Sequence, residues 1–354
     1  MKAVFVYRYL THGGGCEAVM KARLAGLPGY GVDAHAWFLF DLGGRGMFAG
    51  LEARAHVGPA EGLRAFLGRF RPDVVTTIDT PEVFSLLAPD TVPPVLILES
   101  HSTYWDGLAF LEHLAALPIA RVIAPSRAQA EALAARCEIR CPVSVVPNPV
   151  CEEFLAEPVG GAAAPRRPCV GWIGRLDELK NWRMALEIMS APATTEPDAE
   201  LWLAGRAVEP PVEEELRRAA ARLGVLPRLR WFRGLPFAAI PAFLDIVRDS
   251  GGVLLSTSTA ESFGLAVAEG MARGCTVVVP DLPAFQELVA DGATGILYRG
   301  GDAGAGADAV AGALADAALR SALGRSARAS VVERLSPAAA LPVLAKVLRA
   351  AFSG

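Results

Sequence analysis

Short apolar runs that do not alternate with polar residues constrain this chain most. Val74-Val-Thr-Thr-Ile78 and Val95-Leu-Ile-Leu98 are the clearest. A strand with one face in water alternates. A strand that does not alternate is covered on both faces, as in a parallel sheet sandwiched by helices. Apolar runs at residues 3–8, 34–40, 54–57, 73–78, 95–99, 122–125 and 143–147 therefore read as strands. Helical patterns at 17–27, 61–70, 81–87, 108–116 and 127–137 lie between them.

The alternation then breaks. Glu157-Pro-Val-Gly-Gly-Ala-Ala-Ala-Pro-Arg-Arg-Pro168 has turn and linker composition. Strand and helix resume at Cys169-Val-Gly-Trp-Ile173. Further strands are expected at 201–204, 229–232, 253–256, 276–279 and 295–298, with helices at 181–189, 212–223, 239–246, 265–273, 284–290 and 305–323. Ser336-Pro337 looks like an N-cap followed by proline at the first helical position, opening a last helix. The expected organisation is an α/β domain at 1–157, a linker at 158–168, a second α/β domain at 169–336 and a terminal helix at 337–354 that is free to pack on either domain, the first being one choice.

A length of 354 residues, 52% hydrophobic and 20% charged, suits two domains that each bury a core. A net charge of −4 argues against nucleic acid as a partner. The apolar runs read as shorter than the roughly 18 residues that span a membrane. The start, Met1-Lys-Ala-Val-Phe-Val-Tyr7, reads as a first strand and not a secretion signal. A cytoplasmic chain is expected, soluble or peripheral to a membrane. The 6 cysteines are scattered without zinc spacing, so free thiols and no metal are expected.

The stretch Thr259-Ala-Glu-Ser-Phe-Gly-Leu-Ala-Val-Ala-Glu-Gly-Met-Ala-Arg-Gly274 follows the strand at 253–256. It reads as polar loop, then helix. Glu261 precedes the helix and Glu269 lies within it. At ~1.5 Å per residue they stand roughly 12 Å apart along the axis. Between them the amides of Ser262, Phe263, Gly264 and Leu265 form a helix N-terminus, which attracts anions. The alternative is an acidic first turn favoured by the helix dipole alone, which leaves Glu269 unexplained.

Gly171-Trp-Ile-Gly-Arg-Leu-Asp-Glu-Leu-Lys-Asn181 places Arg175 and Lys180 at the end of a buried strand. Lys180 is one of only four lysines, with Lys2, Lys21 and Lys346. A cation at a helix start opposes the dipole, which points to an anionic partner. The bland alternative is a local Glu178–Lys180 pair on a solvated loop. In the first half, Thr11-His-Gly-Gly-Gly-Cys-Glu17 is a glycine-rich turn between strand and helix. It suits a phosphate, a tight structural turn, or less well a dinucleotide, for which Asp41 would hold the ribose. Glu99-Ser-His-Ser-Thr-Tyr-Trp-Asp106 follows another strand. His101 would point from its end, and Tyr104, Trp105 and Asp106 would line an acceptor or pack the next helix. The helix at 61–71 is amphipathic and basic, but short for a membrane anchor.

Together these fragments resemble the retaining glycosyltransferases of family 4. Glu261 to Glu269 matches that family's E-x7-E motif, and Gly174-Arg-Leu-Asp-Glu-Leu-Lys-Asn181 its G-R-L…K-N segment. Pro283 to Glu287, Asp291 to Gly295, Gly14-Gly-Cys-Glu17, Ser126-Arg127 and Val146-Pro-Asn148 match in order and spacing. The resemblance implies a GT-B fold: two Rossmann-like α/β domains with a ligand cleft between them, the first on the acceptor side and the second on the donor side. It implies that Arg175 and Lys180 clamp a donor pyrophosphate. Glu261 and the amides of Ser262 to Leu265 would hold the distal phosphate and sugar, and Glu269 the ribose. Gly234 and Leu235 would meet the base, while Gly14, Gly15 and His101 approach the donor. Thr11, His12, Tyr104, Trp105 and Asp106 are the acceptor candidates. Leu203-Ala-Gly-Arg206 departs from the family's glycine-acid-glycine, so Arg206 gives a base or phosphate contact or faces water. Asn148-Pro-Val-Cys151 also departs, which leaves any acceptor or hinge role there open.

The expected activity is metal-independent transfer of a sugar, with retention, from a nucleotide-diphosphate sugar to a small soluble acceptor rather than a lipid. A UDP-sugar is the first donor choice and a GDP-sugar the second. No cofactor is expected. The rivals are a GT-B nucleotide-sugar epimerase, a non-catalytic partner protein and an NAD dehydrogenase.

Overall fold

The computed structural model describes residues 1–86, 94–157, 167–191, 199–207 and 211–353, apart from the side chains of Leu86 and Asp106. Most of the expected linker and residue 87 of the third expected helix lie outside the described residues. The chain divides into two compact units, Met1–Glu152 with Arg334–Gly354, and Glu153–Glu333.

The first unit is built on seven parallel strands: β1 (Lys2–Leu10), β2 (Asp33–Asp41), β3 (Ala55–Val57), β4 (Val74–Ile78), β5 (Val95–Glu99), β6 (Arg121–Ala124) and β7 (Val143–Val145). Their order is β3-β2-β1-β4-β5-β6-β7. Ala3 of β1 pairs with Ala34 on one side and Val74 on the other. All five residues of β4 are buried, as an unbroken apolar run requires. The helices are α1 (Gly15–Gly26), α2 (Ala60–Phe70), α3 (Glu82–Leu86) and α4 (Arg127–Ala134). Leu63 and Leu67 of α2 pack on Val4, Val6, Trp37 and Val75.

The second unit begins within α5 (Glu152–Leu155) and holds six parallel strands: β8 (Cys169–Ile173), β9 (Glu200–Ala204), β10 (Leu229–Phe232), β11 (Val253–Leu255), β12 (Val277–Pro280) and β13 (Ile296–Tyr298). The order is β10-β9-β8-β11-β12-β13. Here α6 (Trp182–Ser190), α7 (Pro211–Arg222), α8 (Ile240–Asp249), α9 (Leu265–Ala272), α10 (Pro283–Leu288) and α11 (Ala303–Ala315) alternate with the strands. Its core gathers Val170, Trp172, Leu186, Leu203, Leu255 and Val278. In each sheet the strand order reverses beside the first strand, between β1 and β4 and between β8 and β11. Ligands of open α/β sheets bind at the carboxyl ends of strands at such switch points.

The helix expected over 305–323 is two helices, α11 and α12 (Ala317–Leu335). Asp316 leaves helical geometry at φ −115° and ψ 94°. Its side chain then accepts from Leu319 N at 2.9 Å and caps α12. The expected helix at 108–116 is a run of 3-10 turns over Trp105–Ala116, with Leu108 and His113 outside helical geometry. By length and composition Ala317–Ser353 is long and apolar enough to cross a membrane, which corrects the reading that no run is. It is interrupted at Ser336 and continues as α13 (Pro337–Ser353). There Leu341, Leu344 and Leu348 are buried in the first unit, and Leu341 fills the space above Gly26.

Candidate functional site

The loops that follow β8 and β11 are stitched together at the switch point of the second sheet. Thr257 N-terminal to the polar loop is buried and does most of this. Its hydroxyl lies 2.9 Å from both Lys180 O and Asn181 O, and it accepts from Trp172 Nε1 at 2.9 Å. Thr259 N donates to Leu179 O at 2.8 Å. Asp177 braces the first loop from within. Its carboxylate accepts from Lys180 N at 2.9 Å and from Arg175 Nε at 2.9 Å. Asn181 takes the left-handed conformation, φ 50°, and caps α6 through Met184 N.

This stitching brings together two side chains 81 residues apart in sequence. Lys180 Nζ lies 2.5 Å from Glu261 Oε1, and Ser258 Oγ donates to the same oxygen at 2.7 Å. The local Glu178–Lys180 pair does not form. Glu178 pairs with Arg183 at 2.7 Å. A small cavity opens here, lined by Ile173, Lys180, Ser256, Ser258, Glu261 and Gly264. Arg175, on the same loop as Lys180, is not part of this lining; its side chain is 57% exposed, so its guanidinium has room to turn.

Gly264 is the N-cap of α9 at φ 89°, a region that L side chains rarely adopt. A Cβ there would sit 2.5 Å from the Phe285 ring. Val267 N and Ala268 N fold back on Gly264 O. The amides of Leu265 and Ala266 therefore point out of the helix N-terminus, where they attract an anion. Phe263 is buried against the unit while Ser262 stays partly open.

Glu269 sits deeper on α9 and is buried. Burial, and secondarily the nearby Glu153 carboxylate, push its carboxyl up to about 8. It is therefore largely protonated at neutral pH and can both donate and accept a hydrogen bond.

The departing segment Leu203 to Arg206 has a steric cause. A Cβ on Gly205 would lie 1.7 Å from Gly174 O, so the loops after β8 and β9 touch backbone to backbone. Leu176 N donates to Arg206 O at 2.8 Å. The Arg206 side chain lies against Gly234, itself at φ 66°, with Nε 3.2 Å from where a Cβ would stand. Leu235 follows in the same turn.

In the first unit, the glycine turn is shaped from inside. The Glu17 carboxylate folds back to accept from Thr11 N at 2.8 Å and Thr11 Oγ1 at 2.6 Å. A Cβ on Gly14 would lie 2.0 Å from that carboxylate, so Gly14 makes room for Glu17. Gly15 opens α1. The phosphate reading of this turn meets a resident negative charge. Asp41 is held by Arg45 Nε at 2.6 Å and by Gly43 N at 2.9 Å, leaving the dinucleotide reading no free ribose ligand there.

His101 is set on a buried polar chain. Its Nε2 lies 3.1 Å from Glu99 Oε2, and its backbone N donates to Asp79 at 2.9 Å. Arg23, fully buried, contacts both Glu99 oxygens at 2.9 and 2.8 Å. Burial opposes ionisation of Glu99, yet Arg23 and His101 pull it down to about 2. Its ionised carboxylate makes Nε2–H of His101 the donor. Burial raises Asp79 to about 6. Trp105 packs in the core beside Leu111 and Leu114, with the Arg136 guanidinium 4.3 Å over its ring. Tyr104 is 38% exposed, and the side chain of Asp106 lies outside the described ones. All six cysteines are free thiols, and among the described residues no cluster of His, Cys, Asp or Glu is arranged to hold a metal ion.

The structure thus gathers Arg175, Lys180, Glu261 and Ser262 to Leu265 at one switch point, with Glu269 on the same helix. It places His101 and Thr11 to Gly15 at the carboxyl end of the first sheet. Asp177, Thr257 and Ser258 escaped sequence reasoning because small polar residues in loops carry no signal of their partner. Arg23 had one: it is a charged residue on the apolar face shared by Met20, Leu24 and Leu27.

Residues 159–330 match the family model described as "Glycosyl transferases group 1". This segment is similar to the group 1 glycosyl transferases. The matched segment contains Arg175, Lys180, Glu261 and Glu269. A similar curated protein is the phosphatidyl-myo-inositol mannosyltransferase of Mycobacterium leprae, 31% identical over 177 residues, 49% of this chain and 45% of that protein. Another is the GDP-mannose:cellobiosyl-diphosphopolyprenol alpha-mannosyltransferase of Xanthomonas campestris, 29% identical over 200 residues, 56% of this chain and 50% of that protein. The chain spans about half the length of these relatives. Among solved structures, Anabaena Alr3699/HepE in complex with UDP and glucose superposes with a TM-score of 0.82 at 19% identity, covering 99% of this chain and all of that one. At that identity the likeness is one of fold: two Rossmann-like α/β units of the GT-B kind.

Proposed function

We propose that the protein moves a sugar from a nucleotide-diphosphate sugar to an acceptor hydroxyl, with retention at the anomeric carbon. The observation that carries this reading is the meeting of Lys180, Glu261 and the N-terminus of α9 in one small cavity. As the bond to the sugar breaks, negative charge grows on the leaving diphosphate. Lys180 and the amides at the start of α9 supply charge and dipoles at that position, and Arg175 turns in to add a second cation, a largely electrostatic form of catalysis. They do in this site what a metal ion does elsewhere.

Glu261, already gripped through Oε1, orients Lys180 and offers its carboxylate to sugar hydroxyls. The protonated Glu269 meets the ribose diol as donor and acceptor together. Gly234, Leu235 and the neighbouring Arg206 take the base. In the retaining route the acceptor hydroxyl attacks from the face the diphosphate leaves, and the donor phosphate takes its proton. The acceptor contacts are assigned to Thr11, His12 and Tyr104 on the first unit, and His101 is assigned to the reaction. The donor is a UDP-sugar by first choice and a GDP-sugar by second, and the acceptor a small molecule.

A panel of nucleotide sugars tested for diphosphate release, followed by proton NMR of the product, examines this directly. An α-linked product from an α-linked donor is expected. An inverted product would overturn the retaining route. Donor conversion that needs no acceptor would replace the transferase by an epimerase.

A further inference from the structure

The carboxyl end of the first sheet carries an apolar patch that the transferase reading leaves unused. Phe40 and Leu42 are each 52% exposed, and Tyr9 is 39% exposed. Tyr9 and Phe40 are register partners on β1 and β2, so they share one face of the sheet. Their ring centroids are 5.9 Å apart, and Tyr7 meets Tyr9 edge-on at 6.5 Å. Leu42 is fixed beside them by its amide, which donates to Leu10 O at 2.8 Å. Exposed aromatics grouped in this way mark a contact surface.

The patch adjoins the Thr11 turn. A Cβ on Gly43 would lie 2.4 Å from His12 Nε2, and one on Gly44 would lie 2.1 Å from Thr11 O. The loops after β1 and β2 are therefore packed as one surface, polar at Thr11 and His12 and apolar at Tyr9, Phe40 and Leu42. The Thr11 hydroxyl gives its proton to Glu17 and keeps lone pairs for an incoming hydroxyl.

Charge chooses among occupants. Arg8, whose guanidinium stands 5.9 Å over the Tyr9 ring, pairs with Glu82 at 2.8 Å. Arg45 pairs with Asp41 at 2.6 Å. Both cations bordering the patch are already neutralised by a carboxylate, so the surface suits a neutral ligand better than a phosphorylated headgroup.

We propose that Tyr9, Phe40 and Leu42 form a platform for an uncharged aromatic or alkyl aglycone of the acceptor, whose hydroxyl lies at Thr11 and His12. This rests on the transferase reading and adds the chemical class of the acceptor to it.

The test compares the full-length protein with Phe40→Ser and Leu42→Ser, both at exposed positions where folding is retained, as melting curves would confirm. Three quantities are read with the preferred donor: hydrolysis without acceptor, KM for a short polyol, and KM for the same polyol bearing an octyl or phenyl group. The wild type should favour the substituted acceptor. Each variant should raise its KM about tenfold, equivalent to about 1.4 kcal/mol, while kcat, hydrolysis and the KM of the bare polyol hold. Unchanged preference for the substituted acceptor would overturn the platform. So would variants that lose binding to phosphatidylglycerol vesicles yet keep the soluble acceptor, since the patch would then dock on a membrane. A wild type that releases no nucleotide diphosphate at all would overturn the transferase reading and the platform with it. Normal hydrolysis with no aglycone effect would overturn the platform alone.

Discussion

Replacing Glu269 by glutamine should change how stability depends on pH. The carboxyl titrates near 4.5 when unfolded and near 8 when folded, because α9 holds it away from water and near Glu153. Between those values the folded chain keeps a proton that the unfolded chain has released. Its contribution is therefore full below about pH 4.5 and is lost as pH rises through about 8. At about 1.4 kcal/mol per pH unit, the wild type should lose on the order of 4 kcal/mol between pH 5 and 9 from this group. Glutamine keeps the shape and has no proton to lose. Urea denaturation at pH 5 to 9, followed through the buried Trp172 and Trp182 of the second unit, would measure both proteins. The variant's stability minus that of the wild type should rise steadily, by about 4 kcal/mol, from pH 5 to pH 9. Parallel curves would refute the argument that Glu269 is buried protonated. Glu269→Ala, which removes donor and acceptor together, should weaken nucleotide binding in calorimetry.

Two further substitutions probe the frame of the site. Gly264→Ala places a Cβ against Phe285 at a positive φ and should cost about 3 kcal/mol. Wild-type thermal stability in that variant would contradict the geometry. Thr257→Val keeps the volume but leaves Trp172 Nε1 without its acceptor, costing about 2 kcal/mol. It should also weaken donor binding by loosening the Lys180 loop, and unchanged affinity would show that the loop holds itself.

What was legible in the sequence follows from what is local. Val74 to Ile78 and Val95 to Leu98 announce buried parallel strands because burial on both faces is written in the run itself. The glutamates eight apart stand out because a helix gives them fixed spacing. The Lys180–Glu261 pair was out of reach, since it depends on Thr257 and Thr259 clasping a loop nearly eighty residues away. The break at Asp316 was hidden within an alanine-rich stretch that favours helix throughout, and only the capping bond to Leu319 N reveals it. Gly14 illustrates a different limit. The sequence suggests room for a phosphate, while the fold uses that room for the Glu17 carboxylate.

The central claim is that the second unit binds a nucleotide diphosphate through Lys180. Isothermal calorimetry of UDP and GDP with the wild type and Lys180→Ala tests it most directly. A charge-assisted contact is worth about 1.5–3 kcal/mol, so the variant, with its melting temperature retained, should bind roughly ten- to a hundredfold more weakly. Equal affinity in the two proteins would contradict the claim.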